Sequence, residues 1–471
     1  MFSRTKLQFR NDIDGLHYCL MLPLIGWITE RSSSYQEANA NQWLMSYVFL
    51  NATIVLLEFR FNCNAFQKIV HQILFFLVIA SQWYHFNWFR SILSLSSVLI
   101  SNFLLSRILR SIPVKYFKSF TFAEFSIVFQ SFIYFLFKVI QFEIYSSINV
   151  ANISRSEIDL IINDTFSILL ISSIISTFLC HSNTFKPFIF LIGIPTCVYT
   201  WLSLRLKTHL IRWLWNYLNE TEPRRRLSLF WSLIILLTLS FAFLHWYFCQ
   251  SEYHSGTKSI KISTRIRKIF HLSITLIYIT GIKYDPFYLD FASKLILFIF
   301  IYVEIIRLSQ SSVIDSTLDR IFKHYRDEKD SGLLTLTHIY LLVGCSLPIW
   351  LSSDLKRTSP LLLAIGILTI GVGDTVASVI GSTFGKIRWP NSDKTLIGTL
   401  GFFVSQLITI PFLEYYFDVD NQNKISINHT ELIIVLSFLN SMIETFTNQI
   451  DNLVIPMIAF LLLKCSLWIY K

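Results

Sequence analysis

The sequence predicts an all-α, polytopic transmembrane protein built as a helical bundle. Of its 471 residues, 53% are hydrophobic and only 15% are charged, which is too apolar for an ordinary soluble domain. Apolar runs near the length that an α-helix needs to cross a bilayer recur from one end of the chain to the other. They give roughly 13 to 15 candidate spans, and the alternating ten-residue strands of a membrane barrel are not evident.

The charged residues are spread over the segments between the apolar runs. The formal net charge is +10, yet the bases do not gather into the kind of patch that binds nucleic acid. The segment Arg205–Arg226 holds six bases against two acids, which predicts a cytosolic loop. The seven cysteines are scattered, mostly within apolar runs, and they predict neither a disulfide framework nor a zinc site.

Polarity changes character after about residue 255, which divides the chain into two predicted regions. Residues 1–255 form a transmembrane scaffold region, or a wall for a lipid substrate, because their few charged residues lie mostly at the ends of apolar runs. The first run, from Leu16, ends at Glu30 without a small-residue cleavage site, which favours a span over a signal peptide. Residues 256–471 carry polar residues inside apolar runs and form the predicted catalytic region.

The glycine-rich stretch Gly371–Gly401 is the most informative part of the chain. It places an acid, Asp374, inside an apolar run and then adds the bases Lys386, Arg388 and Lys394. Glycine lets a backbone turn tightly or approach a ligand, so a stretch of this kind suits a bound polyphosphate. Asp374 would hold the accompanying divalent cation.

A second interpretation of this stretch is close packing of membrane helices. The small residues Gly373, Ala377, Gly381 and Gly385 recur every four positions, the spacing that lets two helices approach closely. The segment Gly381–Lys386 is not a P-loop, because it has one residue too few between its glycines and no Ser or Thr after the lysine. Trp389-Pro390 ends any helix, so residues 387–395 are a predicted loop that re-enters the membrane at Thr395.

Two further segments place polar residues near membrane helices. Asn440, Glu444, Asn448 and Asp451 recur at intervals of four, four and three, so they share one face of a predicted helix. An acid exposed to lipid costs about 2.5–3.5 kcal/mol, so these carboxylates face protein or a wet cavity. They suit a hydrated magnesium ion, although hydrogen bonds to neighbouring helices are an alternative.

The second segment contains Arg267, Lys268 and His271. Arg267 and His271 lie four residues apart and share a face, either as a basic membrane flank or as donors to phosphate oxygens. Farther along, Glu304 and Arg307 are spaced to pair across one helical turn, and Gln310–Gly332 reads as a solvated loop.

Taken together, these segments resemble the dolichol kinase family. The resemblance extends over about residues 265–456, whereas residues 1–250 resemble the family mainly in hydropathy. The motifs that carry it are Arg267–His271, Asp327–Gly332, Thr337–Leu342, Ser346–Trp350, Gly373–Ser378, Gly381–Lys386, Trp389-Pro390, Lys394-Thr395, Gly398-Thr399 and Glu444–Pro456. The same part is similar to polyprenol and phytol kinases and to CTP-dependent phosphatidate cytidylyltransferases. One departure is Thr375-Val376, where the family often has a small residue after Gly-Asp.

The resemblance implies an enzyme of the endoplasmic reticulum membrane that transfers the γ-phosphate of CTP to the terminal hydroxyl of dolichol, giving dolichyl phosphate for protein glycosylation. Its CTP-binding loop would face the cytosol. The implied CTP-binding residues are Gly373, Gly381, Gly385, Lys386, Trp389, Lys394, Thr395, Arg267, Lys268 and His271. The backbone amides around Gly381 and Gly385 would bind the phosphates. Asp374, Glu444 and Asp451 would hold Mg²⁺ or another divalent cation, and Asp451 would accept the proton of the alcohol.

Two alternatives stay open. A cytidylyltransferase would use the same CTP site but attack the α-phosphate, and the motifs Thr337–Leu342 and Glu444–Pro456 favour the kinase. A transporter would use glycine-interrupted helices and membrane carboxylates as an ion pathway. An inverted repeat would support a transporter, and none is evident between the two halves of the sequence.

Overall fold

The computed structural model describes the chain chiefly from residue 193 onwards. The described ranges are 119–133, 193–253, 264–308, 333–352, 358–390, 392–418, 430–447 and 450–469, with a few single positions and short pieces elsewhere. Within these ranges the regular structure is helical, apart from one isolated antiparallel bridge between Arg388 and Thr395. The predicted all-α class is therefore confirmed. Most of the predicted scaffold before residue 193 and the predicted loop Gln310–Gly332 lie outside the described residues.

We number the described helices in chain order. They are α1 (Phe122–Ile133), α2 (Ile194–Leu206), α3 (Leu210–Asn219), α4 (Glu222–Tyr253), α5 (Thr264–Tyr284), α6 (Pro286–Leu308), α7 (Thr337–Trp350), α8 (Pro360–Gly366), α9 (Thr375–Phe384), α10 (Leu396–Asp418), α11 (Thr430–Phe446) and α12 (Asp451–Ile469). A π-helix, Ile367–Asp374, joins α8 to α9. α8 starts at a proline, which suits the first turn of a helix because its missing N–H needs no partner there.

Three helical segments in the described part are long and apolar enough to cross a membrane. They are Glu222–Phe248, Pro360–Phe384, which runs through the π-helix, and Leu396–Phe417. The chain is accordingly a multi-pass membrane protein. The total of 13 to 15 spans depends also on residues outside the described ranges and stays a prediction.

The chain divides into two compact units. Unit 1 comprises Met1–Ser154, Ser331–Leu334 and Lys464–Lys471, and unit 2 comprises Arg155–Asp330 and Thr335–Leu463. All candidate site residues belong to unit 2. The predicted functional division near residue 255 stays a prediction.

The described part of unit 1 centres on α1, which begins with a capping box. The amide of Thr121 donates to Oε2 of Glu124 at 3.0 Å, and the amide of Glu124 donates to Oγ1 of Thr121 at 3.2 Å. This exchange satisfies two amides that the first turn of a helix leaves without partners. The sequence Thr-x-x-Glu therefore fixes where α1 begins.

In unit 2, the antiparallel pair α4 and α5 determines at which end of a membrane span the site lies. Three contacts define their register: Arg224 with Asp285, the residue after α5, at 3.0 Å, Trp231 with Thr280 at 3.0 Å, and Thr238 with Ser273 at 2.6 Å. Arg224 lies at the start of the span Glu222–Phe248, so the beginning of α5, with Lys268, lies toward its other end. The basic segment Arg205–Arg226 and the predicted phosphate-binding bases of α5 are consequently at opposite boundaries. The segment Arg205–Arg226 is predicted to be cytosolic, and the resemblance implies that the CTP-binding site also faces the cytosol. These two predictions cannot both be correct.

Close packing of α9 against α10 explains the small residues of the glycine-rich stretch. A Cβ atom on Gly398 would lie 3.0 Å from the carbonyl oxygen of Ala377 and 3.4 Å from the Cα of Gly381. Ala377 also packs in a small core with Phe402 and Ile455. The helix-packing interpretation of this four-residue spacing is confirmed.

The predicted pair Glu304–Arg307 is also confirmed. Nη2 of Arg307 lies 2.6 Å from Oε1 of Glu304, and both side chains are buried. The same oxygen accepts a hydrogen bond from the amide of Thr335 at 2.7 Å. The buried carboxylate thus has one partner on α6 and another in the segment just before α7, as a charge removed from water requires.

Candidate active site

Three carboxylates from three different elements converge in unit 2. One oxygen each from Asp374, Glu444 and Asp451 lies within 4.8 Å of the others. Asp374 ends the π-helix, Glu444 lies in the last turn of α11, and Asp451 begins α12. Opposite oxygen ligands of Mg²⁺ are about 4.2 Å apart, and carboxylate oxygens are the ligands this ion prefers. The donor set and its size therefore fit the predicted divalent cation.

The π-helix places Asp374 at this point. π-helical turns are rare and are frequently found at functional sites. Thr375 accommodates the wider turn, since its hydroxyl lies 3.4 Å from the carbonyl oxygen of Ile370, five residues back. Gly373 lets the element approach α10, because a Cβ there would lie 2.6 Å from the ring of Phe402. Asp374 is in consequence buried against neighbouring helices.

A break between α11 and α12 brings Glu444 and Asp451 together. The sequence predicted one continuous helical face from Asn440 to Asp451, and this prediction is wrong, because α11 ends at Phe446. Asn440 instead donates a hydrogen bond to Gln406 on α10 at 3.0 Å, while Asn448 lies outside the described residues. At the start of α12 the helix dipole also favours the negative charge of Asp451.

Lys394 connects two of the carboxylates. Its Nζ donates to Oε1 of Glu444 at 2.5 Å and to Oδ2 of Asp451 at 3.0 Å. Burial of the ammonium group acts to lower the pKa of Lys394, but Asp451, Glu444 and Asp374 outweigh burial and raise this pKa above its usual value. Lys394 is therefore charged at neutral pH.

The connecting loop, Gly385–Thr395, holds Lys394 in position. The amide of Trp389 donates to the carbonyl oxygen of Lys394 at 3.0 Å, and its indole nitrogen donates to the hydroxyl of Thr399 at 3.0 Å. That hydroxyl lies 2.7 Å from the hydroxyl of Thr445 on α11. The predicted CTP-binding residue Trp389 thus anchors the loop to α10 and α11. The predicted loop and its end at Thr395 are confirmed, since α10 begins at Leu396.

Lys268 and His271 of α5 complete the site. Nζ of Lys268 donates a hydrogen bond to Oδ2 of Asp374, and Nε2 of His271 lies 3.7 Å from the same oxygen. Nε2 of His271 is also 3.4 Å from Oδ1 of Asn452, the residue after Asp451. Lys268 and His271 are three residues apart, so the face that meets Asp374 differs from the predicted Arg267–His271 face.

The remaining predicted phosphate contacts fit the structure less well. The amide of Gly385 donates to the carbonyl oxygen of Gly381 at 3.0 Å, and Gly381 lies in the last turn of α9. The C-terminal end of a helix presents carbonyl oxygens, which repel phosphate. The proposed use of these amides is therefore not supported. Lys386 is exposed on the connecting loop. The hydroxyl oxygen of Thr395 accepts a hydrogen bond from the amide of Gly398 at 3.1 Å and so caps the start of α10.

No site role was predicted for three polar residues of the site, Asn452, Thr399 and Thr445, although all three lie within motifs that carry the resemblance. The segment that contains Asp451 did include Asn452, but spacing on one predicted helix could not place it opposite α5. Thr399 and Thr445 lie on different helices and meet only after folding. A threonine within an apolar run carries little signal in a single sequence, because its hydroxyl often bonds the preceding turn of its own helix.

These features define a multi-pass helical membrane protein with a centre of three carboxylates and two lysines, an arrangement suited to phosphate chemistry. A family model described as dolichol kinase matches residues 91–346, just over half of the chain. The chain belongs to the dolichol kinase family. The matched range starts well before the motifs that carry the resemblance, and it ends before Asp374.

Curated relatives agree with this family. The chain is 35% identical over 274 residues to a human dolichol kinase, covering 56% of this chain and 49% of the human protein. It is 31% identical over 253 residues to dolichol kinase EVAN of Arabidopsis thaliana, covering 52% and 41% of the two chains. It is 28% identical over 284 residues to a dolichol kinase of Saccharomyces cerevisiae, covering 59% of this chain and 50% of the yeast protein. The matches thus span about half the length of these relatives, and no solved structure matches the chain.

Proposed function

We propose that this protein is a CTP-dependent dolichol kinase, which transfers the γ-phosphate of CTP to the terminal hydroxyl of dolichol and gives dolichyl phosphate for protein glycosylation. The observation that carries the proposal is the convergence of Asp374, Glu444 and Asp451 with Lys394 and Lys268 in a member of this family. Phosphoryl transfer requires alignment of the reactants and neutralisation of charge, and this set of residues provides both.

The three carboxylates would hold Mg²⁺. When bound, a divalent cation neutralises charge on the phosphate oxygens and aligns them. Lys394 contacts Glu444 and Asp451, and Lys268 contacts Asp374. Both ammonium groups are therefore within reach of phosphates bound at the three carboxylates. Lys386, exposed on the connecting loop, adds positive charge at the edge of the site.

In the proposed reaction the hydroxyl oxygen of dolichol bonds to the γ-phosphorus, and the bond from that phosphorus to the β,γ-bridging oxygen breaks. CDP leaves with the bridging oxygen, and the alcohol proton passes to a carboxylate. We assign this role to Asp451, because 19% of its side chain is exposed, against 3% for Glu444 and 9% for Asp374. A base must reach the proton it accepts, and Asp451 is the most accessible of the three.

The lipid acceptor would approach from the bilayer. Exposed apolar side chains surround the connecting loop, namely Phe384, Ile387, Leu396 and Phe446. In a membrane such side chains contact acyl chains, so the isoprenoid tail can stay in lipid while its hydroxyl reaches the carboxylates. The site would lie at the membrane surface, where CTP is available from water.

We infer a location in the endoplasmic reticulum membrane with the site facing the cytosol. The family resemblance supports this orientation, and so do the bases Lys258, Lys261, Arg265, Arg267 and Lys268 before and at the start of α5. Arg205–Arg226 would then face the lumen, because it lies at the opposite end of the span Glu222–Phe248. The cytosolic prediction for that segment is the one we set aside.

A labelling experiment tests the proposed reaction. Membranes containing the protein are incubated with dolichol, Mg²⁺ and CTP labelled at either the α- or the γ-phosphate in parallel. We expect label in the lipid from the γ-position alone. Label from the α-position would mean cytidylyl transfer, and no label from either position would overturn the proposal.

A further inference from the structure

Lys394 lies where a cation would neutralise two of the three carboxylates. Its Nζ is within 3.0 Å of oxygens from both Glu444 and Asp451, while Lys268 contacts Asp374. One oxygen from each of these three acids lies within 4.8 Å of the others. A divalent ion and the ammonium group of Lys394 would therefore compete for the same carboxylates.

The charge at the site reinforces this competition. Three carboxylates and two ammonium groups leave one net negative charge. The two lysines therefore already neutralise most of the negative charge that would attract a bare divalent ion. A nucleotide triphosphate brings several more negative charges. Once these are present, the same site can hold both a divalent cation and two lysines with little net charge.

The two lysines differ in their freedom to move. Lys394 lies on the connecting loop and 30% of its side chain is exposed, whereas Lys268 lies on α5 with 11% exposed. A lysine has a flexible four-carbon stem, so its ammonium group can move by several ångströms without backbone movement. Lys394 is thus the group that can leave the carboxylates.

We infer that Lys394 is an internal counter-ion that a divalent cation must displace, so that the site takes up the cation together with nucleotide phosphates rather than alone. The displaced ammonium group of Lys394 then pairs with the phosphates. Lys394 is in this role a positioning residue that couples cation binding to nucleotide binding. The inference rests on the proposed function, since it takes a cation–nucleotide complex as the ligand.

Binding of Mn²⁺ tests the inference without reference to turnover. The purified full-length protein in detergent is titrated with Mn²⁺, and free Mn²⁺ is followed by electron paramagnetic resonance, with and without a non-hydrolysable CTP analogue. We expect wild-type protein to bind Mn²⁺ about tenfold or more tightly with the analogue than without it. Lys394→Met should bind Mn²⁺ alone about tenfold or more tightly than wild type does, because the competing charge is gone.

Arg388→Met is the matched control. It removes one positive charge from the same loop, but from an exposed position, with 68% of the side chain accessible, so its affinity for Mn²⁺ alone should stay within about twofold of wild type. Elution of each variant as a single species from size-exclusion chromatography checks that it is folded.

Two results would overturn the inference. One is equal affinity of wild-type protein for Mn²⁺ with and without the analogue, which needs no variant. The other is an affinity of Lys394→Met for Mn²⁺ no higher than that of wild type. If γ-phosphate transfer is still observed in either case, the proposed function stands and only the inference fails. Loss of transfer together with no Mn²⁺ binding under any condition would remove the proposed function as well.

Discussion

Lys268 on α5 donates a hydrogen bond to the carboxylate of Asp374 at the end of the π-helix, across 106 residues of sequence. Both side chains are largely withdrawn from solvent, with 11% and 9% exposed. Removing one partner of such a pair leaves an uncompensated buried charge, whereas removing both is tolerated better. The pair therefore links the stability of this part of unit 2 to its chemistry.

Asp374→Asn should lower the rate of γ-phosphate transfer by about 100-fold or more, because it removes a charged ligand and leaves Lys268 without its acid. The measurement is the initial rate of label transfer, with the amount of protein in the membrane fraction determined by immunoblot. Asp393→Asn is the control, because this acid lies on the nearby connecting loop and is fully exposed. Near-normal transfer by Asp374→Asn would remove Asp374 from the catalytic residues.

Lys386→Ala should raise the KM for CTP by about two- to fivefold and leave kcat nearly unchanged, as expected for a solvent-screened charge at the edge of the site. Lys394→Ala should lower kcat as well, because Lys394 contacts Glu444 and Asp451 directly. Steady-state kinetics with varied CTP distinguish the two. An unchanged KM in Lys386→Ala would place the phosphate contacts elsewhere.

Gly344→Ala should destabilise the protein by about 1–3 kcal/mol through overpacking. A Cβ at residue 344 would overlap the carbonyl oxygen of Asn452, which is backbone and cannot rotate away. Because Asn452 follows Asp451, the transfer rate should fall together with the melting temperature in detergent.

Gly401→Ala is the control for this substitution. The nearest atom to a Cβ there is the end of the Ile380 side chain at 3.1 Å, which can move. Alanine also favours a helix over glycine, so this variant should be neutral or slightly more stable. Equal melting temperatures for Gly344→Ala and Gly401→Ala would contradict the role given to Gly344.

The segments near the two ends of the span Glu222–Phe248 should be accessible from opposite sides of the membrane. Lys207 represents the segment before its start, and Lys386 represents the connecting loop at the site. In a variant without the native cysteines, Lys386→Cys should react with a membrane-impermeant maleimide in sealed, cytosolic-side-out microsomes. Lys207→Cys, exposed in the segment Arg205–Arg226, should react only after the membrane is permeabilised. Labelling of both positions in sealed microsomes would contradict the antiparallel pairing of α4 with α5.

The part of the structure that could be predicted is the part that local sequence determines. Hydropathy and run length gave the helical class, because a helix in lipid satisfies its own backbone hydrogen bonds. Trp389-Pro390 predicted the connecting loop, since proline cannot continue a helix. Glu304 and Arg307 pair within one turn, so their spacing alone was sufficient.

The candidate site was predicted as a set of residues but not as an arrangement. The sequence selected Asp374, Glu444, Asp451, Lys394 and Lys268 by residue type and resemblance. Three features of this arrangement were not predictable. They are the π-helix that ends at Asp374, the break between α11 and α12, and the pairing of Asp374 with Lys268 rather than with Arg267. Each depends on how helices pack against one another, as where Gly373 meets Phe402.

The sequence by itself thus determined a helical membrane protein and most of the charged groups of its site. Only the tertiary structure decided which groups touch, and that the basic segment Arg205–Arg226 lies away from them. Helix formation and membrane insertion depend on neighbours within a few turns. Convergence of Lys268, Asp374, Lys394 and Glu444 depends on contacts between residues 50 to 106 positions apart, which packing alone creates.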